Sequence, residues 1–181
     1  MKKIIICACA FLAYGLANAQ SEQIKFGVKA GLLHSTITGD DYGDGIDNYG
    51  FDSKIGGYIG GVVDLPIAGN FHLQPELLFT SEGADEVNLA YARIPVLAKY
   101  YIIQNLALEA GPTFGAMLAA EDDSEDAFKK VDVALTGGAA YEFSFGLFVD
   151  ARFNAGLVNI SDIDGVDWHT ASFMVGAGYR F

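Results

Sequence analysis

The chain has 181 residues, 51% of them hydrophobic and 13% aromatic, and a formal net charge of −12. That length implies one domain, and the acidic balance excludes nucleic acid as a partner, because such a surface repels phosphate. Two cysteines are too few for the disulfide framework of a small secreted module.

Residues 1–19 read as a secretory signal peptide. Lys2 and Lys3 form the basic start, an apolar run follows from Ile4 to Leu16, and Ala17-Asn18-Ala19 supplies the small-residue cleavage site. Both cysteines, Cys7 and Cys9, lie inside this leader. The exported domain is therefore expected to be 20–181, without thiols for metal or nucleophilic chemistry. Past the leader, no apolar run approaches the ~18 residues that a transmembrane helix needs.

Eight alternating segments follow in chain order, near 23–34, 54–65, 71–82, 88–102, 106–118, 131–143, 147–158 and 169–181. The connections after the even-numbered segments are tight: residues 66–70, 103–105 and 144–146. Those after the odd-numbered ones, 35–53, 83–87, 119–130 and 159–168, are polar and mostly longer. They hold fifteen acidic residues against only Lys129 and Lys130. Short turns at one end and acidic loops at the other predict an all-β fold: an eight-stranded antiparallel transmembrane up-and-down β-barrel in the cell outer membrane. The even strand number puts both termini at the short-turn, periplasmic end.

The alternation separates this fold from a soluble sandwich. Phe71, Leu73, Pro75, Leu77 and Phe79 share one face, and His72, Gln74, Glu76, Leu78, Thr80 and Glu82 the other. Across the strands, the polar face is rich in glycine and small residues, with charges spaced along it. Glycine weakens an ordinary strand but suits the narrow interior of an eight-stranded barrel, which side chains alone fill. Lys25, Lys29, Lys54, Arg93, Lys99, Arg152 and Arg180 are predicted to face inward, with Asp64, Glu76, Glu82, Glu109, Asp132, Glu142 and Asp150. Seven charges of each sign predict a paired lumen network, because an unpaired buried charge is costly.

Aromatic residues gather at the strand ends. Phe26, Phe71, Tyr100, Tyr141, Phe143, Tyr179 and Phe181 are expected to form the periplasmic girdle, and Tyr91, Trp168 and Phe173 the outer one.

The blocks Gln74-Pro75-Glu76-Leu77-Leu78, Ile94-Pro95-Val96-Leu97-Ala98-Lys99-Tyr100 and Leu108-Glu109-Ala110-Gly111-Pro112 resemble the PorT-like outer-membrane β-barrel family of Bacteroidota. The resemblance runs from about Lys25 to Phe181. It implies an eight-stranded outer-membrane barrel, and the founding member is associated with protein export by the type IX secretion system. It brings no catalytic motif and no cofactor. Gly176, Tyr179 and Phe181 also resemble the terminal signal read by the barrel assembly machinery, although Val175 stands where a polar residue is usual.

Other constellations are weaker. The loop from Asp40 fails the calcium-loop template, with Tyr42 at position three and Phe51 at position twelve. His34, Ser35 and His169 lie near the seam between the first and last strands, yet Ser35 has the opposite parity to both histidines, and a nucleophile needs its base in contact. His72 is read as a solvated residue beside a turn. Pro75, Pro95 and Pro112 suggest bulges. The expected function is non-enzymatic, a structural or accessory role in type IX-like secretion or envelope maintenance. The expected partners are outer-membrane lipid, the assembly machinery and an envelope or secretion protein, and the barrel is expected to be a monomer. A rim lipid-modifying enzyme and a narrow small-solute channel are the alternatives.

Overall fold

The computed structural model describes residues 23–41, 49–50, 53–84, 87–120, 131–158 and 166–181. Residues 1–19, expected to be a signal peptide, and most of the acidic loop residues lie outside these ranges. The described chain forms nine strands: β1 (Lys25–Asp41), β2 (Tyr49–Gly50), β3 (Lys54–Ala68), β4 (Phe71–Ala84), β5 (Val87–Ile103), β6 (Leu106–Ala120), β7 (Val131–Glu142), β8 (Leu147–Gly156) and β9 (Val166–Arg180). Each long strand pairs antiparallel with its neighbour in sequence, and β9 pairs back onto β1 from Gly27–Arg180 to Asp41–Val166. The result is a closed barrel of eight long strands. The two-residue β2 is an addition, paired with Thr38 and Gly39 of β1.

Closure follows from the alternating pattern. Val28, Leu32, Ile59, Phe79, Phe114, Phe153 and Val175 point outward and are exposed, a wall that faces lipid rather than water. Their strand neighbours point inward. A sheet apolar on the outside and charged on the inside is stable in a bilayer only when it has no open edge.

Three features depart from the sequence reading. First, β1 continues to Asp41 and β9 begins at Val166, so Asp40, Asp41 and Asp167 belong to strands, and Asp40 is the register partner of Asp167. Second, β4 and β5 run on until only residues 85–86 connect them. The two strands stay in register as far as Ala84 and Val87, and Glu82 and Arg93 form an inward ion pair across them. Third, the register runs without shift through Pro75, Pro95 and Pro112. The irregularities fall instead at Pro66/Ala68, Ala90/Tyr91 and Tyr101/Ile103.

The inward glycines are explained by crowding. A Cβ added at Gly176 would collide with the Tyr58 hydroxyl, and one at Gly31 with the backbone of β9 and the Tyr58 ring. Tyr58 thus lies across the bore in space that two glycines leave. Gly176→Ala should lower urea stability by about 1–3 kcal/mol, the usual cost of overpacking. Tyr58→Leu combined with Gly176→Ala should cost less than the sum of the two single changes, measured as a double-mutant cycle in lipid vesicles.

Candidate functional site

The interior is a stack of side-chain layers. At the short-turn mouth, Arg180 from β9 pairs with Glu142 of β7 and donates to the Gln74 side chain at 2.6 Å. Lys99 of β5 reaches Asp64 of β3 at 2.9 Å and lies 4.7 Å from the Tyr101 ring centre. Tyr101 in turn donates to Glu142 at 2.8 Å. Asp64 also pairs with His72 Nδ1. His72 is therefore not the solvated turn residue that its position suggests. β4 carries it on the same inward parity as Gln74 and Glu76, within reach of the carboxylate across the β3–β4 hairpin.

One layer deeper, Arg152 of β8 forms a forked pair with Glu76, both bonds at 2.8 Å. It also meets Glu109 at 2.7 Å and Asp150 at 2.9 Å. Lys29 pairs with Asp150 and lies 3.7 Å from Glu76. Gln74, fully buried, donates to Glu76 at 2.6 Å and to Glu109 at 3.3 Å. These charged side chains are screened from solvent, so each depends on its partners for compensation. Forked guanidinium–carboxylate geometry gives strong, direction-specific bonds.

Above this lies an apolar layer of Leu33, Tyr58, Leu78 and Met174. Tyr58 links it downward, with its ring over the Lys29 ammonium at 5.3 Å and its hydroxyl donating to Asp150 at 3.4 Å. Leu78 links it upward as the register partner of Arg93. A polar ladder abuts the layer: Thr113 to Thr136 at 2.6 Å, Thr136 to Asn154 at 2.7 Å, and Asn154 to Ser172 at 3.0 Å.

The outer layer is an ion-pair island. Arg93 donates through two nitrogens to Glu82, at 2.5 and 2.6 Å, and through its third to Asp132 at 2.8 Å. Tyr91 lies within 4.8 Å of the same guanidinium and is 1% exposed. It is thus a lumen residue, not part of the outer aromatic girdle. Its parity is that of Arg93 and Lys99, which settles the matter in spite of its place near a strand end.

The remaining network residues lie at the ends. Lys25 sits at the mouth, half exposed, 3.2 Å from Glu142. Lys54 is half-buried at the start of β3 and has no ion-pair partner among the described residues. The residues that sequence reasoning did not assign to the network are Gln74, Tyr58, Tyr101 and His72. Their inward parity was visible; their partners were not. Of the terminal triplet, Gly176 faces Tyr58 inside, while Tyr179 and Phe181 are exposed on the outer wall. The other periplasmic-girdle aromatics, Phe26, Phe71, Tyr100, Tyr141 and Phe143, also lie on the exposed side. Trp168 and His169 lie on β9, but their side chains are outside the described set. His34 is exposed, and Ser35 is buried on the opposite face.

A recess of about 890 Å³ opens at the short-turn mouth, with Lys25, Asp64, His72, Tyr101, Glu142 and Arg180 among its lining residues. Among the described residues, no group of three or more histidine or acidic side chains is placed to hold a metal ion.

A family model described as "Outer membrane protein beta-barrel domain" matches residues 18–162. No curated protein matches the chain. Solved structures do. Neisserial surface protein A is 15% identical with a TM-score of 0.54, the match covering 88% of this chain and 100% of that one. The attachment invasion locus protein of Yersinia pestis, solved with the heparin analogue sucrose octasulfate, is 16% identical with a TM-score of 0.51, covering 88% and 99%. At such identities the likeness is one of fold.

Removing Arg152 takes from Glu109 its guanidinium partner and leaves Glu76 and Asp150 to share Lys29. Arg152→Ala should therefore destabilise the barrel by about 3–5 kcal/mol. Lys25→Ala, at the exposed end of the same network, should cost no more than about 1 kcal/mol. Urea titration of both variants in lipid vesicles checks the contrast, and equal losses would refute it.

Proposed function

The chain belongs to the outer membrane protein β-barrel family, and on that premise we propose that it is a non-enzymatic accessory protein of the outer membrane. It acts through the surfaces that the barrel presents, not through its bore. The observation that carries this reading is the filled lumen: two ion-paired layers and an outer island, with Leu33, Tyr58, Leu78 and Met174 set between them. A general diffusion pore needs about sixteen strands to leave room for water.

The finer setting is envelope maintenance or protein secretion of the type IX kind, as the PorT-like resemblance implies. The acidic outer segments are the surface offered to an envelope or secretion protein. The barrel works as a monomer in lipid. Opposite faces for His34 and Ser35 argue against a lipid-modifying site at the rim, because a base cannot activate a nucleophile through the wall.

Refolded protein in planar bilayers should give no conductance steps, and sustained single-channel current from the unaltered chain would refute the closed-bore reading. Cross-linking in native envelopes should capture a secretion or envelope protein through the outer segments. Capture that is unchanged when Asp122, Asp123, Glu125 and Asp126 are all replaced by Asn or Gln would count against those segments as the contact.

A further inference from the structure

Among the described residues, the mouth recess combines two properties. It is open, and it carries both signs of charge on side chains that solvent can reach. The Lys25 side chain is 53% exposed, and that of Glu142, its partner at 3.2 Å, is 14% exposed. Behind them, Arg180 and Asp64 are buried and already committed to the network. The amides of Asn70 and Asn105 bond to the Tyr101 and Glu142 carbonyls and fix the turns around the opening.

The rim of the same recess is apolar. Ile103, Phe145 and Phe181 line it and are 62%, 63% and 74% exposed. Tyr141, Phe143 and Phe145 form a ladder of ring contacts, 5.0 and 5.6 Å between centres, that joins this rim to the lipid-facing wall. Aromatic girdles of this kind sit at headgroup level. The recess therefore opens at the plane where the headgroups of the inner leaflet end, and its edge is continuous with the surface that acyl chains cover.

We propose that this recess binds the headgroup of an inner-leaflet phospholipid that carries both a phosphate and a primary ammonium, with the acyl chains lying over Phe145 and Phe181. The ammonium takes the place of Lys25 on Glu142, and the phosphate takes Lys25. The Lys25–Glu142 pair thus opens into an alternating row of four charges with no change in net charge. Breaking that pair costs little because its Lys25 end is half in water and Glu142 keeps Arg180 and Tyr101. A primary ammonium has three protons to donate to Glu142 and the neighbouring acceptors, whereas a quaternary ammonium has none. A purely anionic headgroup would leave Glu142 facing a phosphate.

Native mass spectrometry of the mature chain refolded in detergent tests this with equal amounts of phosphatidylethanolamine, phosphatidylcholine and phosphatidylglycerol. Phosphatidylethanolamine should be retained about tenfold more than either of the others, the ratio expected when one charge-assisted hydrogen bond is added. Glu142→Gln should remove that preference, and Lys25→Gln should lower the retention of all three lipids, while both barrels keep their heat-modifiable migration. Lys54→Gln, at the opposite end, should leave the preference unchanged. Equal retention of the three lipids, an unaffected preference in Glu142→Gln, or a retained peptide in place of lipid would overturn the proposal. Displacement of the lipid by an equal concentration of soluble phosphoethanolamine would overturn the part given to the acyl chains.

Discussion

An eight-stranded barrel leaves almost no room inside, and every inward side chain must fit with its partners already in place. That constraint organises the whole molecule. Charged groups removed from water are tolerated only when paired, so Arg152 sits among three carboxylates and Arg93 between two. The space for those long side chains is created across the bore by glycines. Tyr58, for example, can cross it only because Gly31 and Gly176 carry no Cβ. Charge pairing and glycine placement are thus two sides of one packing problem.

The outer wall answers to a different solvent. Its residues are chosen for lipid, so the exposed apolar surface that would make a water-soluble protein aggregate is here the stabilising face. Polar groups on the backbone are satisfied around the ring by closure between β1 and β9. The mouth is where the two solvents meet. There the ion network becomes reachable at Lys25 and Glu142, and the aromatic wall ends at Phe145 and Phe181.

The fold was legible because strand parity is a rigid code. Once one strand is registered, every second residue is assigned to lipid or lumen. The full lengths of β1, β4 and β5 were not legible, since Thr, Gly and Asp read as loop residues unless a partner strand is known. Tyr91 lies near a strand end, where aromatics favour the girdle, yet its parity turns it into the lumen. His72 was misplaced because a turn neighbour was assumed to be wet, while its pairing with Asp64 depends on how β3 and β4 register around the bulge at Pro66 and Ala68. Which carboxylate pairs with which cation depends on distances across the bore, and no one-dimensional pattern records them. Gln74 shows this most clearly. Uncharged, it escapes any count of charges, yet it joins Glu76, Glu109 and Arg180.

A closed bore requires the apolar layer of Leu33, Tyr58, Leu78 and Met174 to keep water out. Cys7 and Cys9 are the chain's only cysteines and both precede the barrel, so a single thiol can be placed there cleanly. Met174→Cys in residues 20–181, inserted in vesicles, should resist a small charged thiol reagent applied from both sides, and should react only after unfolding in urea. Rapid labelling of the folded barrel at that position would show water passing Leu33 and Leu78, and would contradict the account.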